Sequence, residues 1–147
     1  MEEKQVYSVR LTLLSTLDGE STRSEYIGEY KQSDGKHTIV YTDYSGNIIT
    51  KVGIEATENA MLIHRVGGYE GDMLFTTEAN TKLNYGSFSL NHEFRLHTTG
   101  YELDVRSERL MIYVRYVLAD DLKEPGIVCS QKIIITKMEE AKNEESI

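Results

Sequence analysis

Apolar residues take every second position through most of this chain, and the rule is clearest between Tyr85 and Leu118. Phe88, Leu90, His92, Phe94, Leu96 and Thr98 share one parity. After a break at Thr99-Gly100, Tyr101, Leu103 and Val105 alternate on the other. A second break at Ser107-Glu108 leads into Leu110, Ile112, Val114, Tyr116 and Leu118. A period of two kept through three successive segments predicts β-strands with one apolar, inward face. Short connections between consecutive strands predict an antiparallel meander.

The same alternation extends in both directions. Val6 to Leu17 forms a first strand, with Tyr7, Val9, Leu11 and Leu13 on one side. Asp18-Gly19 is a turn signal, and Asp34-Gly35 is the clearest hairpin signal in the chain. Between them, Ser24 to Gln32 places Tyr26, Gly28 and Tyr30 on one parity, and the internal glycine suggests a bulge or bend. Thr38 to Tyr44, Ile48 to Ala56, Met61 to Val66 and Asp72 to Thr77 follow as short strands. Ala119 to Gly126 is polar, holds the one proline, Pro125, and reads as an exposed loop. Ile127 to Thr136 is a last, β-branched strand.

Turns fall about every 8–12 residues, which is the rhythm of an all-β sandwich or barrel. No convincing amphipathic helix of normal length is present. The even up-and-down spacing favours the barrel, which removes sheet edges. The expected fold is an all-β, antiparallel up-and-down barrel of about 8–10 strands. It occupies residues 1–137, and residues 138–147 form an acidic tail, frayed or disordered.

Composition narrows the function classes. The chain has 147 residues and a formal net charge of -8, so it repels phosphate backbones and anionic headgroups. Nucleic acid and membrane surfaces are therefore not expected as partners. One cysteine, Cys129, allows no internal disulfide and suits a reducing, cytoplasmic setting. The first residues, Met1-Glu2-Glu3-Lys4-Gln5, lack the pattern of a signal peptide. No apolar stretch approaches the length of a membrane helix.

The order Arg65-x-Gly67, Met73-x-Phe75, Tyr85-Gly86, then Ile112-x-Val114-x-Tyr116-x-Leu118 resembles the DUF1934 family of small Gram-positive bacterial proteins. The resemblance covers about Val6 to Thr136. It implies a fold similar to the calycins, the lipocalin-like β-barrels, and it brings no reaction with it. The chain has no tryptophan, so it lacks the Gly-x-Trp signature of lipocalins.

The candidate chemistry is sparse. His37, His64, His92 and His97 are not spaced as zinc ligands, and Cys129 has no nearby cysteine or histidine, so no metal site or cofactor is expected. Flanked by Ile127, Val128 and Ser130, Cys129 reads as a packed strand residue rather than a nucleophile. Gly67-Gly68-x-x-Gly71 lacks the lysine of a phosphate loop and reads as a hairpin. Tyr113 and Arg115 share a face that could hold a carboxylate, but it is the more polar face of its strand and points to solvent. Arg65 differs, because it ends the apolar segment Met61 to Val66 just before two glycines. That places a guanidinium at a barrel rim, as a ligand clamp or as a structural plug.

Two readings follow. In the first, the barrel binds a small apolar or amphipathic ligand, with Arg65, Tyr85, His92 and Tyr116 as the ligand-binding set. In the second, the interior is packed and the protein is a structural or protein-interaction module. No set of nucleophile, base and orienting group is legible, so an enzyme ranks below both. The oligomeric state stays open, with a homodimer among the options.

Overall fold

The computed structural model describes residues 6–87, 90–120 and 126–138, with the backbone alone for 82–87, 90–92 and 120. Ten antiparallel strands close into a barrel in which every strand pairs with its neighbours in sequence, and β1 closes on β10. They are β1 (Val6–Leu17), β2 (Glu20–Ser33), β3 (Lys36–Asp43), β4 (Thr50–Ala56) and β5 (Ala60–Gly67). The second half is β6 (Tyr69–Thr76), β7 (Thr81–Ser87), β8 (Leu90–Val105), β9 (Arg109–Asp120) and β10 (Ile127–Lys137). Asp18-Gly19 and Asp34-Gly35 both turn with φ positive at both residues, +52° and +88° in the first, +53° and +78° in the second. That is the backbone twist a two-residue hairpin requires.

Alternation places the predicted faces inward. Val9, Leu11, Ile39, Ile54, Met61, Phe75, Leu96, Ile112, Val114 and Ile133 are all buried in one core. The wall outside carries charge instead, with Arg10, Glu25, Glu29, Lys31, Glu55 and Arg115 exposed. No helix among the described residues is long and apolar enough to cross a membrane.

Five expectations change. Thr99-Gly100 is not a turn: β8 runs through it as one strand, and its register against β9 slips between Thr98 and Gly100. The slip is a bulge, which accounts for the change of parity from Thr98 to Tyr101. A separate strand, β7, precedes the meander. Gly28 lies in regular pairing with both Val9 and Tyr41, so it marks close approach of strands rather than a bulge. Val105 is 50% exposed at its strand end, and Phe94 is half-buried against the core. Ala119 belongs to β9 rather than to a loop. The inward placement expected of Phe88, Leu90 and His92 lies outside the described side chains, as does the tail beyond Met138. Met138 itself donates its N–H to the Ser8 carbonyl, 3.0 Å away.

The two ends of the barrel differ. At one end, where β2 turns into β3 and β4 into β5, the Tyr101 hydroxyl crosses from β8 to donate to the carbonyls of Thr57 (2.7 Å) and Ala60 (3.1 Å). Burial pushes the Tyr101 phenol up to about 12, so it stays a donor. The gap left beside Tyr30, Leu110 and Ile135 is about 10 Å³, room for one water at most. This end is plugged.

His37 lies at the plugged end, only 3% exposed, with the Tyr30 hydroxyl 2.8 Å from its Nδ1. Burial lowers the His37 pKa below its ordinary 6.5. Below pH 6.5 the unfolded chain therefore takes up a proton that the folded chain refuses. The contribution of neutral His37 to stability is complete above that pH. It declines as the pH falls toward the folded-state value, by at most about 1.4 kcal/mol per pH unit. Urea titrations across this range should show a shallower decline for His37→Gln than for the natural chain. Equal slopes would assign the acid sensitivity to other groups.

Candidate functional site

The opposite end is built from the ends of β3, β5 and β9 and the starts of β4, β6 and β10. Here the inward positions are not sealed: Leu13, Tyr26, Asp43, Arg65, Phe94 and Leu118 are all half-buried. Arg65 follows the buried Met61 and Ile63 on the same face of β5, and its register partners are Val52 and Gly71. Its Nη1 lies 3.5 Å from the Met73 sulfur. The turn that ends β5 depends on Gly67, at φ +119°, where a Cβ would meet the Ile49 carbonyl oxygen at 2.6 Å. Gly68 then donates its N–H to that same carbonyl at 2.9 Å. This ties the Arg65 end of the β5–β6 hairpin to the chain entering β4.

The charge of the guanidinium acts on two phenols, Tyr26 and Tyr116. Tyr26 and Tyr41 lie against each other on β2 and β3, ring centroids 4.5 Å apart. Burial, then the Asp43 carboxylate, pushes the Tyr26 phenol up, while Ser24 and Arg65 oppose the rise. Tyr116, on β9, is buried, and its phenol is raised by that burial and next by Cys129, with Arg65 again opposing. The positive charge of Arg65 therefore reaches both Tyr26 on β2 and Tyr116 on β9. Beneath it, the rings of Phe75 and Tyr116 meet edge to face at 4.9 Å and 67°. Phe75 stands four residues deeper along β6 than Gly71, the register partner of Arg65, so this ring pair forms the floor of the mouth.

One buried polar atom here has no protein partner. Thr98 pairs with Tyr116, is 3% exposed, and its Oγ1 has no hydrogen bond. An unpaired buried hydroxyl costs about 1–3 kcal/mol, so native structures seldom keep one without a use or a bound molecule. The Cys129 thiol is also buried, and burial pushes its pKa up against the hydrogen bond with Tyr116. It stays protonated at neutral pH, which suits packing rather than attack.

Of the residues expected to form the site, Arg65 and Tyr116 come together at this mouth. Tyr85 and His92 are register partners in β7 and β8; their side chains lie outside the described residues. Tyr26 and Asp43 belong to the mouth, Thr98 lies at the level of its floor beside Tyr116, and none of the three is in the expected set. Tyr26 had the inward parity that would have named it, and Thr98 stood as a polar residue on an apolar face. Arg115 is exposed on the outer wall, as its parity required. The other described histidines are satisfied elsewhere: His64 pairs with Asp72 on the outer wall, and His97 with Asn80 at 2.5 Å. Among the described residues no cluster of His, Cys, Asp or Glu could hold a metal ion.

Comparison with known proteins agrees with this architecture. The model of a family described as a domain of unknown function, DUF1934, matches residues 9–128. No curated protein matches the chain. The crystal structure of the ywiB protein from Bacillus subtilis superposes with a TM-score of 0.77 at 18% sequence identity, covering 95% of this chain and 96% of that one. At that identity the likeness establishes the barrel alone.

Proposed function

Because the chain belongs to the DUF1934 family, whose description names no activity, we propose a function from the geometry of the mouth: this barrel binds a short amphipathic anion, with Arg65 holding its head. The observation that carries the reading is an arginine on an inward position at the unsealed end of a lumen lined mainly by apolar side chains. A guanidinium presents a planar fork of N–H donors that fits a carboxylate. Tyr26 supplies a phenol beside it, and the buried Thr98 hydroxyl offers one more hydrogen bond. Leu13, Phe94 and Leu118 give the apolar contact for the body of the ligand. The Phe75–Tyr116 floor limits depth, so the ligand is short and lies in the mouth rather than along the axis.

We read the role as binding, because burial raises the Cys129 thiol and the Tyr116 phenol and so disfavours either as a nucleophile or base. One buried thiol in the chain suits the cytoplasm. A packed scaffold is the second reading, favoured by the plugged end, where Ile39, Ala56, Met61 and Ile112 are fully buried.

Isothermal titration with octanoate and with shorter straight-chain carboxylates tests the proposal. Arg65→Ala should weaken binding about tenfold or more, equivalent to about 1.4 kcal/mol. Arg65→Lys should fall between the two, since it keeps the charge and loses the fork. Melting temperatures should stay close to that of the natural chain. If the natural chain binds none of these anions, or if Arg65→Ala lowers stability and leaves affinity alone, Arg65 is a structural plug and the scaffold reading stands.

A further inference from the structure

The outer wall over β2–β5 breaks the rule that outward positions are polar. Ile27, Val40, Tyr44 and Val66 are 59%, 45%, 68% and 46% exposed. They border a groove of about 670 Å³. Its hollow is Gly53, where a Cβ would meet nothing within 4 Å. The register partners of Gly53 are Val40 and His64, so the missing side chain leaves a gap between two strands that carry theirs outward. Exposed apolar groups gathered on one face of a barrel mark a contact surface.

Charge identifies the occupant. The chain as a whole carries -8, so two copies repel. The groove is close to neutral: its lining includes one acid, Glu29, one base, Lys51, and His64, which pairs with Asp72. Glu29 pairs with Val40 and Lys51 with Thr42, so the two charges flank β3 on opposite sides. A two-fold axis lying in the interface and running along β3 lays the β2 side of each copy over the β4 side of the other. That operation sets Val40 over its own equivalent at the centre and brings Glu29, twice, to within two residues, about 7 Å along the strand, of Lys51, a diagonal that these two long side chains span. It also sets β2 side chains over the hollow at Gly53. The face is therefore complementary to itself, the condition for a closed two-fold interface.

We propose that this groove is the interface of a homodimer. Tyr41 lines both the groove and the mouth, but the residues that carry this proposal, Glu29, Val40 and Lys51, are exposed on the side of the barrel and take no part in the anion reading.

Sedimentation velocity of the full chain, from low micromolar to about 0.1 mM, a range spanning moderate to weak affinities, tests it. The natural chain should sediment as a dimer at the upper end. Val40→Asp sets two like charges face to face on the axis and should yield monomer. Lys51→Glu should weaken association about tenfold or more, as like charges do in close contact, and Glu29→Lys combined with Lys51→Glu should restore it. All three positions are exposed on the wall, and circular dichroism checks that each variant keeps its fold. A natural chain that stays monomeric throughout overturns the proposal, whatever else binds the groove. So does a dimer indifferent to Val40→Asp.

Discussion

Phe75→Ala should destabilise the barrel by about 3–5 kcal/mol, the usual range for truncating a fully buried phenylalanine. Phe75 is 0% exposed, pairs across the sheet with Met61, and meets Tyr116 edge to face at 4.9 Å. Three losses combine. The apolar area of the ring no longer leaves water on folding, a cavity opens where β-sheet walls cannot collapse freely, and the aromatic pair disappears. For a domain of this length the melting temperature should drop by roughly 10–20 °C. Phe75→Leu should recover more than half of the loss, because it refills most of the volume. Urea denaturation followed by far-ultraviolet circular dichroism measures both. A cost under about 1 kcal/mol for Phe75→Ala would place the ring outside the core.

The inward faces were legible because a strand has only two sides. Once Leu110, Ile112, Val114 and Tyr116 share a parity, one assignment of that face makes a core and the other exposes it. The bulge at Thr98–Gly100 was not legible. A turn and a bulge both interrupt the alternation, and both favour glycine. What separates them is that Thr98 and Gly100 both continue to pair with β9, at Tyr116 and Arg115, and pairing over that distance leaves no local mark. Taken as a turn, the bulge divides one strand into two, while the region of β7 joins the meander, so the pattern still gives the right number of strands.

The mouth was half legible for a similar reason. Arg65 announced itself as a charge ending an apolar segment. Tyr26 and Thr98 did not, because their relation to Arg65 crosses the lumen. It is set by closure and stagger of ten strands, not by spacing along one. The groove on the outer wall left its trace as violations, Ile27 and Val40 on the parity that carries Glu25, Glu29 and Thr38. Such violations mark contact surfaces only after the fold shows that they gather on neighbouring strands.

Gly28→Ala should cost about 1–3 kcal/mol, or more if the sheet cannot yield, whereas Gly53→Ala should be neutral or stabilising by about 0.4–1 kcal/mol. Both glycines sit mid-strand without positive φ, so backbone strain does not separate them. Their surroundings do. A Cβ at Gly28 would stand 2.4 Å from the Val40 carbonyl oxygen, 3.1 Å from the Tyr41 Cβ and 3.2 Å from the Leu11 Cδ1. The first of these is backbone of the adjacent strand, which moves only if β2 leaves β3. Gly28–Tyr41 is also the outermost pair of the β2–β3 ladder on the side of the mouth, so the strands would part there first. Parting them would separate Tyr26 from Tyr41 and carry the Tyr26 phenol away from Arg65. Gly28→Ala should thus lose affinity for the anion along with stability. Gly53→Ala, facing open space on the outer wall, should leave the mouth untouched. Thermal denaturation at low protein concentration, paired with octanoate titration, distinguishes the two. Matching stabilities for the two variants would show that β2 and β3 do not approach as closely as Gly28 permits.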